Sequence, residues 1–334
     1  LEAFSVDRPL RLTPFLRPMV WGGRRLGDVL DKRLPTAEPY GESWEVSDHP
    51  LHRSAVAAGP GAGRTLHDLM RHERQALLGD AAARHDTFPW LVKFLDAADW
   101  LSVQVHPDEA QVRRLLPGEG SKTEAWFVLD AAPGSRVYAG LLPGTDEARL
   151  RDALQAGRVA ECLHQFEPRP GDCVFLPAGT VHAVGGGVLL AEVQRTSDAT
   201  FRLYDWDRRD AQGRSRALHI DESAASIDWS RGPVEPVRAA GFTASPGRVG
   251  ASYCQLLVHC PYFVLEYVHG GPPFTGGGQG RMQVLIVVRG RGLFVTPAGA
   301  EDLALGRVLV LPAALPRWEC RPADDLAVLL CSLP

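Results

Sequence analysis

The sequence predicts a mainly β protein, two β-barrels in tandem with a few short peripheral helices. Three observations carry this. Short apolar runs, many alternating with polar residues, recur between turn signals, and 34 glycines and 26 prolines among 334 residues suit many strands joined by tight turns. Gly171 to His182 reads Gly-Asp-Cys-Val-Phe-Leu-Pro-Ala-Gly-Thr-Val-His: a turn, a short buried strand, a proline that ends the ladder, and a glycine that turns the chain back toward a lone histidine. The Gly-x5-Pro spacing then recurs from Gly306 to Pro312, with Arg317 where the repeat would carry its histidine.

The full spacing, Gly-x5-Pro-x-Gly-x2-His, resembles the second metal-binding hairpin of the cupin superfamily, whose fold is a jelly-roll barrel. An ordinary hairpin with a histidine at its mouth would carry the same spacing. The resemblance implies a barrel without fixing its chemistry. The repeat near the end of the chain implies a second, metal-free cupin-like barrel, the alternative being one barrel extended by an unrelated sheet.

Bulk properties narrow the classes. A chain of this length holds two domains or one large one, and 45% hydrophobic with 23% charged residues is ordinary for a globular protein. A net charge of −4 without basic runs argues against nucleic acid or an anionic membrane as partner. Cys162, Cys173, Cys254, Cys260, Cys320 and Cys331 form no C-x-x-C pair and read as buried thiols of a reducing compartment. No signal-peptide pattern opens the sequence and no apolar run reaches membrane-span length, so the cytoplasm is the expected compartment. Lys32, Lys93 and Lys122 are the only lysines, which gives weight to any lysine beside a candidate ligand.

Residues 1–230 read as an N-terminal extension plus the metal-binding barrel. After a proline-containing lead, Trp21 is expected to pack over Gly22-Gly23. Residues 41–47 alternate Trp44 and Val46 with Ser43, Glu45 and Ser47, a strand with one wet face. Arg64 to Leu78 is helical, with Thr65 as cap and Leu66, Leu69, Met70 and Leu77 as an apolar stripe. A strand runs from Phe88 to about Ala97. In the next, Leu101, Val103 and Val105 face one way and Ser102, Gln104 and His106 the other, up to Pro107. Asp108 caps a short helix to Leu116. From Lys122 to Leu129 a strand sets Lys122, Glu124 and Trp126 on one face, and a glutamate there is costly unless paired or bound to a metal. Thr145 to Gly157 is a helix with Leu150 and Leu154 inward. After the turn at Gly185–Gly187, a strand carries Glu192 and Gln194 on one face. Residues 196–207 continue that sheet, and a helix starts at Ile220. Residues 231–249, rich in Gly, Pro and Ala, read as a linker, and 250–334 as the second barrel.

Gln104, His106, Glu124 and His182 form one candidate site. Two imidazoles and a carboxylate suit zinc and also iron, manganese or nickel, with the glutamine oxygen as a weak fourth ligand. The competing reading makes the two histidines satisfied interior polar residues.

Gln-Val-His-Pro-Asp-Glu from Gln104, Ser-Lys-Thr-Glu-Ala-Trp from Ser121 and Pro-Ala-Gly-Thr-Val-His-Ala from Pro177 together resemble the signature of zinc-dependent mannose-6-phosphate isomerases of the short bacterial form. Residues 189–208, Trp21-Gly22-Gly23 and the segment from Gly41 to Pro50 are also similar to that family. The likeness is close over about residues 11–225 and loose beyond. It implies an aldose–ketose isomerase that interconverts mannose 6-phosphate and fructose 6-phosphate through a cis-enediol. It implies one zinc per chain on Gln104, His106, Glu124 and His182, with Lys122, Glu192 and Arg202 as catalytic residues and Glu192 as general base. Alternatives are a metal-dependent cupin oxygenase, another sugar-phosphate isomerase, and a non-catalytic sugar-phosphate-binding cupin. A plain structural bridge between Glu192 and Arg202 is a further one. Arg195-Thr196 departs from the Gln-Asn of many relatives, either altering phosphate preference or changing a solvated surface. The sequence leaves the oligomeric state open.

Overall fold

Gly171 and Gly306, which open the two repeated segments, have φ of 90° and 84°, a conformation that glycine adopts without strain. Each leads into a short buried strand, Asp172–Leu176 and Val308–Leu311, that ends at a proline. The computed structural model describes residues 6–209, 212–242 and 253–334, so residues 243–249 of the expected linker and 250–252 of the second half lie outside the described residues.

In chain order the elements are β1 Phe15–Gly23, α1 Arg25–Asp28, β2 Tyr40–Val46, β3 Asp48–His49, β4 His52–Arg53, α2 Leu66–His72, α3 Arg74–Leu78, β5 Trp90–Ala97, β6 Val103–Val105, α4 Glu109–Leu115, β7 Glu124–Ala131, β8 Val137–Leu141, α5 Glu147–Gln155, β9 Leu163–Phe166, β10 Asp172–Leu176, β11 His182–Val184, β12 Val188–Arg195, β13 Phe201–Tyr204, α6 Ile220–Ser226 and β14 Val237–Arg238. The last part holds β15 Tyr253–His259, β16 Val264–His269, β17 Phe274–Gly276, β18 Gln283–Thr296, β19 Gly299–Ala304, β20 Val308–Leu311 and β21 Trp318–Ser332. The protein is mainly β, with short helices at the periphery.

Two sheets enclose the candidate site. One runs β1-β2-β5-β12-β7-β10-β14, the other β13-β6-β11-β8-β9. Leu95, Trp126, Val128, Val174 and Leu190 of the first meet Val137, Ala139 and Val184 of the second in the core between them. Phe94, Phe127, Cys173 and Ala191, on the opposite face of the first sheet, pack on Leu265, Tyr267, Ile286 and Leu329 of the third sheet. That third sheet, β15-β16-β21-β18-β19 with β17 and β20 attached, buries a separate core of Leu285, Val287, Phe294, Leu309 and Val328 on its other face.

The helix signals hold. Thr65 and Asp68 form a reciprocal capping box at the start of α2, and Asp108 and Gln111 form another at α4. The 64–78 helix is split, with Glu73 non-helical between α2 and α3.

Five expectations are corrected. The expected wet face of β2 is buried, because Glu45 pairs with Lys32 at 2.7 Å and accepts from Ser43 at 2.5 Å. Trp21 packs over Gly41, where an added Cβ would come 2.5 Å from its ring. β10 and β11 do not pair with each other, since the turn at Gly179, φ 85°, carries the chain from one sheet to the other. Residues 201–204 likewise do not continue the sheet of β12; β13 pairs with β6 in the opposite sheet. Cys254 is exposed, whereas the other five thiols are buried.

Candidate active site and metal centre

Strand register sets the site. Across β2, β5, β12 and β7, Trp44, Lys93, Glu192 and Trp126 are successive cross-strand partners, so their side chains share the inward face. The adjacent inward row holds Gln194 and Glu124. On the facing sheet, Arg202, Gln104 and His182 form the corresponding row over β13, β6 and β11. His106 follows β6 at Pro107, where the strand stops.

These rows converge. His106 Nε2 lies 3.4 Å from Glu124 Oε2 and His182 Nε2 lies 3.4 Å from Glu124 Oε1, and potential ligand atoms of all three residues come within 4.8 Å of one another. Gln104 Nε2 is 3.2 Å from His182 Nε2. Each histidine is oriented from behind: His106 Nδ1 is 3.0 Å from the Ala199 carbonyl and His182 Nδ1 is 2.8 Å from the Thr180 carbonyl. A carbonyl only accepts, so Nδ1 carries the proton and Nε2 turns its lone pair to the centre, the arrangement metal-binding imidazoles use.

Burial, more than charge, favours the neutral form. Burial, then the charge of Lys122, pushes His106 down to about 3, and burial likewise lowers His182. Burial pushes the Glu124 carboxyl up, but Lys122 and His106 outweigh it and hold it well below the usual range. Lys122 Nζ stands 3.0 Å from Glu124 Oε2, and Glu124, Glu192 and Asp198 outweigh burial to keep it protonated. His106 Nε2 and both Glu124 oxygens are buried without a hydrogen-bond partner. Two neutral nitrogens and an anionic carboxylate, turned toward one point and, apart from His182 Nε2, without a hydrogen-bond partner, fit a divalent cation, and zinc suits that donor set.

Glu192 stands beside this group. Its Oε2 accepts from Trp126 Nε1 at 3.1 Å, while Oε1 has no hydrogen bond and faces Lys93 at 3.5 Å and Lys122 at 3.9 Å. Burial, then the Glu124 charge, raises its pKa, and Lys93 and Lys122 oppose the rise. A carboxylate held by one oxygen, with the other bare and a raised pKa, is suited to moving a proton. Its ionic partners are lysines, so the expected alternative of a Glu192–Arg202 bridge is not formed. Arg202 instead donates to the Ala217 carbonyl at 2.9 Å, and its Nε is buried without a partner.

Sequence reasoning passed over Lys93, which is 4% exposed and lies 5.0 Å over the Trp44 ring. A lysine inside Trp-Leu-Val-Lys-Phe-Leu was the available signal, the same one that marked Glu124. Arg195 is neither a free cation nor a solvated change. It pairs with Glu109, meets Ser121 and stacks 4.1 Å over Tyr262, whose hydroxyl donates to Glu109 at 2.9 Å.

Comparison with known proteins agrees with this chemistry. Residues 10–124 match the catalytic domain of type I phosphomannose isomerase. The chain is 34% identical to a mannose-6-phosphate isomerase of Streptococcus mutans over 93% of its own length and 94% of that protein. It superposes on the crystal structure of the mannose 6-phosphate isomerase of Bacillus subtilis with a TM-score of 0.84 at 29% identity, covering 97% of this chain and 99% of that one. A mannose 6-phosphate isomerase solved with zinc and yttrium shares the fold, with a TM-score of 0.70 at 18% identity over 97% of this chain and 99% of that one. Register, buried donor set and similarity over nearly the whole length lead to one assignment: the chain belongs to the mannose-6-phosphate isomerase family.

Proposed function

We propose that this chain interconverts mannose 6-phosphate and fructose 6-phosphate, with one zinc ion on Gln104, His106, Glu124 and His182. The observation that carries the reading is the buried, convergent His106–Glu124–His182 group beside a half-bare carboxylate, Glu192. A zinc ion there supplies a Lewis acid for negative charge developing on nearby oxygens.

The chain's own groups account for the proton movements. Glu192 Oε1 takes the proton from C2 of the aldose and returns it to C1 of the ketose, while a proton passes from O2 to O1, so atoms balance through a cis-enediol. Trp126 holds the other Glu192 oxygen, which fixes the carboxylate plane. Lys122, charged and buried, lies within reach of both Glu124 and Glu192 and supplies positive charge to a sugar oxygen or to the phosphate. The free Arg202 Nε offers a fixed donor from the facing sheet, suited to phosphate or to the enediol oxygens.

The same reading assigns residues 1–230 to the extension and metal-binding barrel, 231–249 to a linker and 250–334 to a second, metal-free cupin-like barrel. The separate core of the third sheet supports this, as does Arg317, whose side chain donates to Thr275 at 3.2 Å. No helix among the described residues is long and apolar enough to cross a membrane, which accords with a soluble small-molecule substrate and the cytoplasm as compartment.

Turnover of mannose 6-phosphate, metal content and oxygen uptake measured on one preparation test the reading. One zinc per chain, isomerisation and no oxygen uptake are expected. A zinc-loaded preparation that binds the sugar phosphate without converting it, or that consumes oxygen, overturns it.

A further inference from the structure

Gln194 is fully buried, and it stands directly across the β12–β7 ladder from the metal-site Glu124. Its Nε2 donates to two backbone carbonyls, Arg195 at 3.0 Å and Ser197 at 2.5 Å. These two acceptors fix the amide, since exchanging its nitrogen and oxygen would set three oxygens against one another. Its Oε1 is therefore held in place with no hydrogen-bond partner, buried on the inward face. An acceptor buried and unpaired is costly unless something else brings it a donor.

Among the described residues no donor of the chain lies within hydrogen-bond distance of it. Lys122 is engaged with Glu124, the Trp126 indole is spent on Glu192, and Glu124 and Glu192 are themselves acceptors. A phosphate group at neutral pH offers mainly acceptor oxygens and does not suit an amide oxygen. Sugar hydroxyls are donors and do. Gln194 lies two residues from Glu192 on one face of β12, about 7 Å along the strand. With the proton transfer at C1–C2 next to Glu192, that offset reaches the hydroxyl of C3 or C4.

We infer that Gln194 is a substrate-binding residue whose Oε1 accepts a hydrogen bond from the C3 or C4 hydroxyl of the hexose phosphate. The inference rests on the isomerase reading. It sets the direction of the sugar in the site: the hydroxyl-bearing carbons run along β12 from Glu192 toward Gln194, with the phosphate beyond the reach of this amide.

The test is a cycle between protein and substrate. Wild type and Gln194→Met are assayed with mannose 6-phosphate and its 3-deoxy and 4-deoxy analogues, with zinc content and thermal stability recorded for each. The affinity of a hexitol 6-phosphate and its deoxy forms, read by calorimetry, repeats the cycle without turnover. The expected result is a drop of about tenfold in kcat/KM when either the side chain or one particular hydroxyl is removed, and no further drop when both are. Zinc stays at one per chain. Equal losses on all three sugars make Gln194 structural and overturn the inference, as does unchanged efficiency. Loss of zinc places Oε1 on the metal and overturns it too. If the variant does not fold, wild type decides alone, and equal kcat/KM for the parent and both deoxy sugars refutes the contact. Failure of zinc-loaded wild type to convert the parent sugar would defeat the isomerase reading instead, a separate outcome.

Discussion

Lys122 Nζ and Glu124 Oε2 meet at 3.0 Å, two residues apart on one face, in a site from which both side chains are almost wholly shielded from water. The pair stands between the two histidines and Glu192, so the carboxylate of the candidate metal group also holds the cation that stands beside Glu192. Breaking it from either side has consequences for binding and for stability.

Metal removal is the first. Chelation should abolish activity and lower the melting temperature, since a ligand at one hundred times its Kd stabilises the state that binds it by about 2.7 kcal/mol. His182→Ala should lose the metal while the fold is kept. Glu124→Gln should lose the metal and also leave Lys122 charged and poorly paired in a buried site, a cost of about 3–5 kcal/mol. Elemental analysis and thermal melts separate the two variants, and an undiminished zinc content in either contradicts the ligand set.

Lys93 gives a pH prediction. In the proposed role of base, Glu192 must be ionised to take a proton, and Lys93 at 3.5 Å favours the ionised form. Lys93→Met removes that attraction, so the Glu192 pKa rises further, and the fraction of active base at a given pH falls. The acid limb of the kcat/KM profile should move to higher pH, with activity lost more at pH 6 than at pH 9. An acid limb that stays in place would remove Lys93 from the electrostatics of the base.

Arg195 gives a prediction of the opposite kind. Its guanidinium is engaged by Glu109 and Ser121 and stacks on Tyr262, which lies in the turn between β15 and β16 of the third sheet. Arg195→Gln should lower stability by about 1 kcal/mol through the lost cation–π contact and half-exposed ion pair, and leave KM for the sugar phosphate unchanged. A severalfold rise in KM without loss of stability would return Arg195 to phosphate binding.

Period-two alternation made much of the site legible. It put Gln104 and His106 on one face and Lys122, Glu124 and Trp126 on another. The cost of burying charge then marked Glu124. The same argument applies to Lys93, buried inside its strand. The polar face of β2 is buried because Glu45 finds Lys32, a partner outside the strand that alternation cannot reveal. The crossing to β13 depends on where residues 196–200 turn, a matter of sheet closure that no local pattern states. That crossing sets Arg202 opposite Gln104 and away from Glu192.

Glu192 and Arg202 thus lie on facing sheets with different partners, and their variants should separate kinetically. Glu192 keeps Oε1 free of hydrogen bonds while Trp126 holds Oε2. Glu192→Gln preserves shape and the Trp126 contact, so zinc and substrate should still bind, and both turnover and deuterium exchange at C2 should be lost by roughly 10²-fold or more. A variant that loses stability yet keeps exchange would make Glu192 structural and move the search for a base to the remaining inward polar groups, Lys122 first. Arg202 has one nitrogen on the Ala217 carbonyl and one buried without a partner. Arg202→Ala should lower kcat/KM by about 10- to 100-fold if that nitrogen meets a charged oxygen. A rise confined to KM places it on the phosphate, which is bound equally in ground and transition states. A fall in kcat with KM unchanged places it on the oxygens that gain charge as the enediol forms. Unchanged kinetics would leave its free Nε without a role in the reaction.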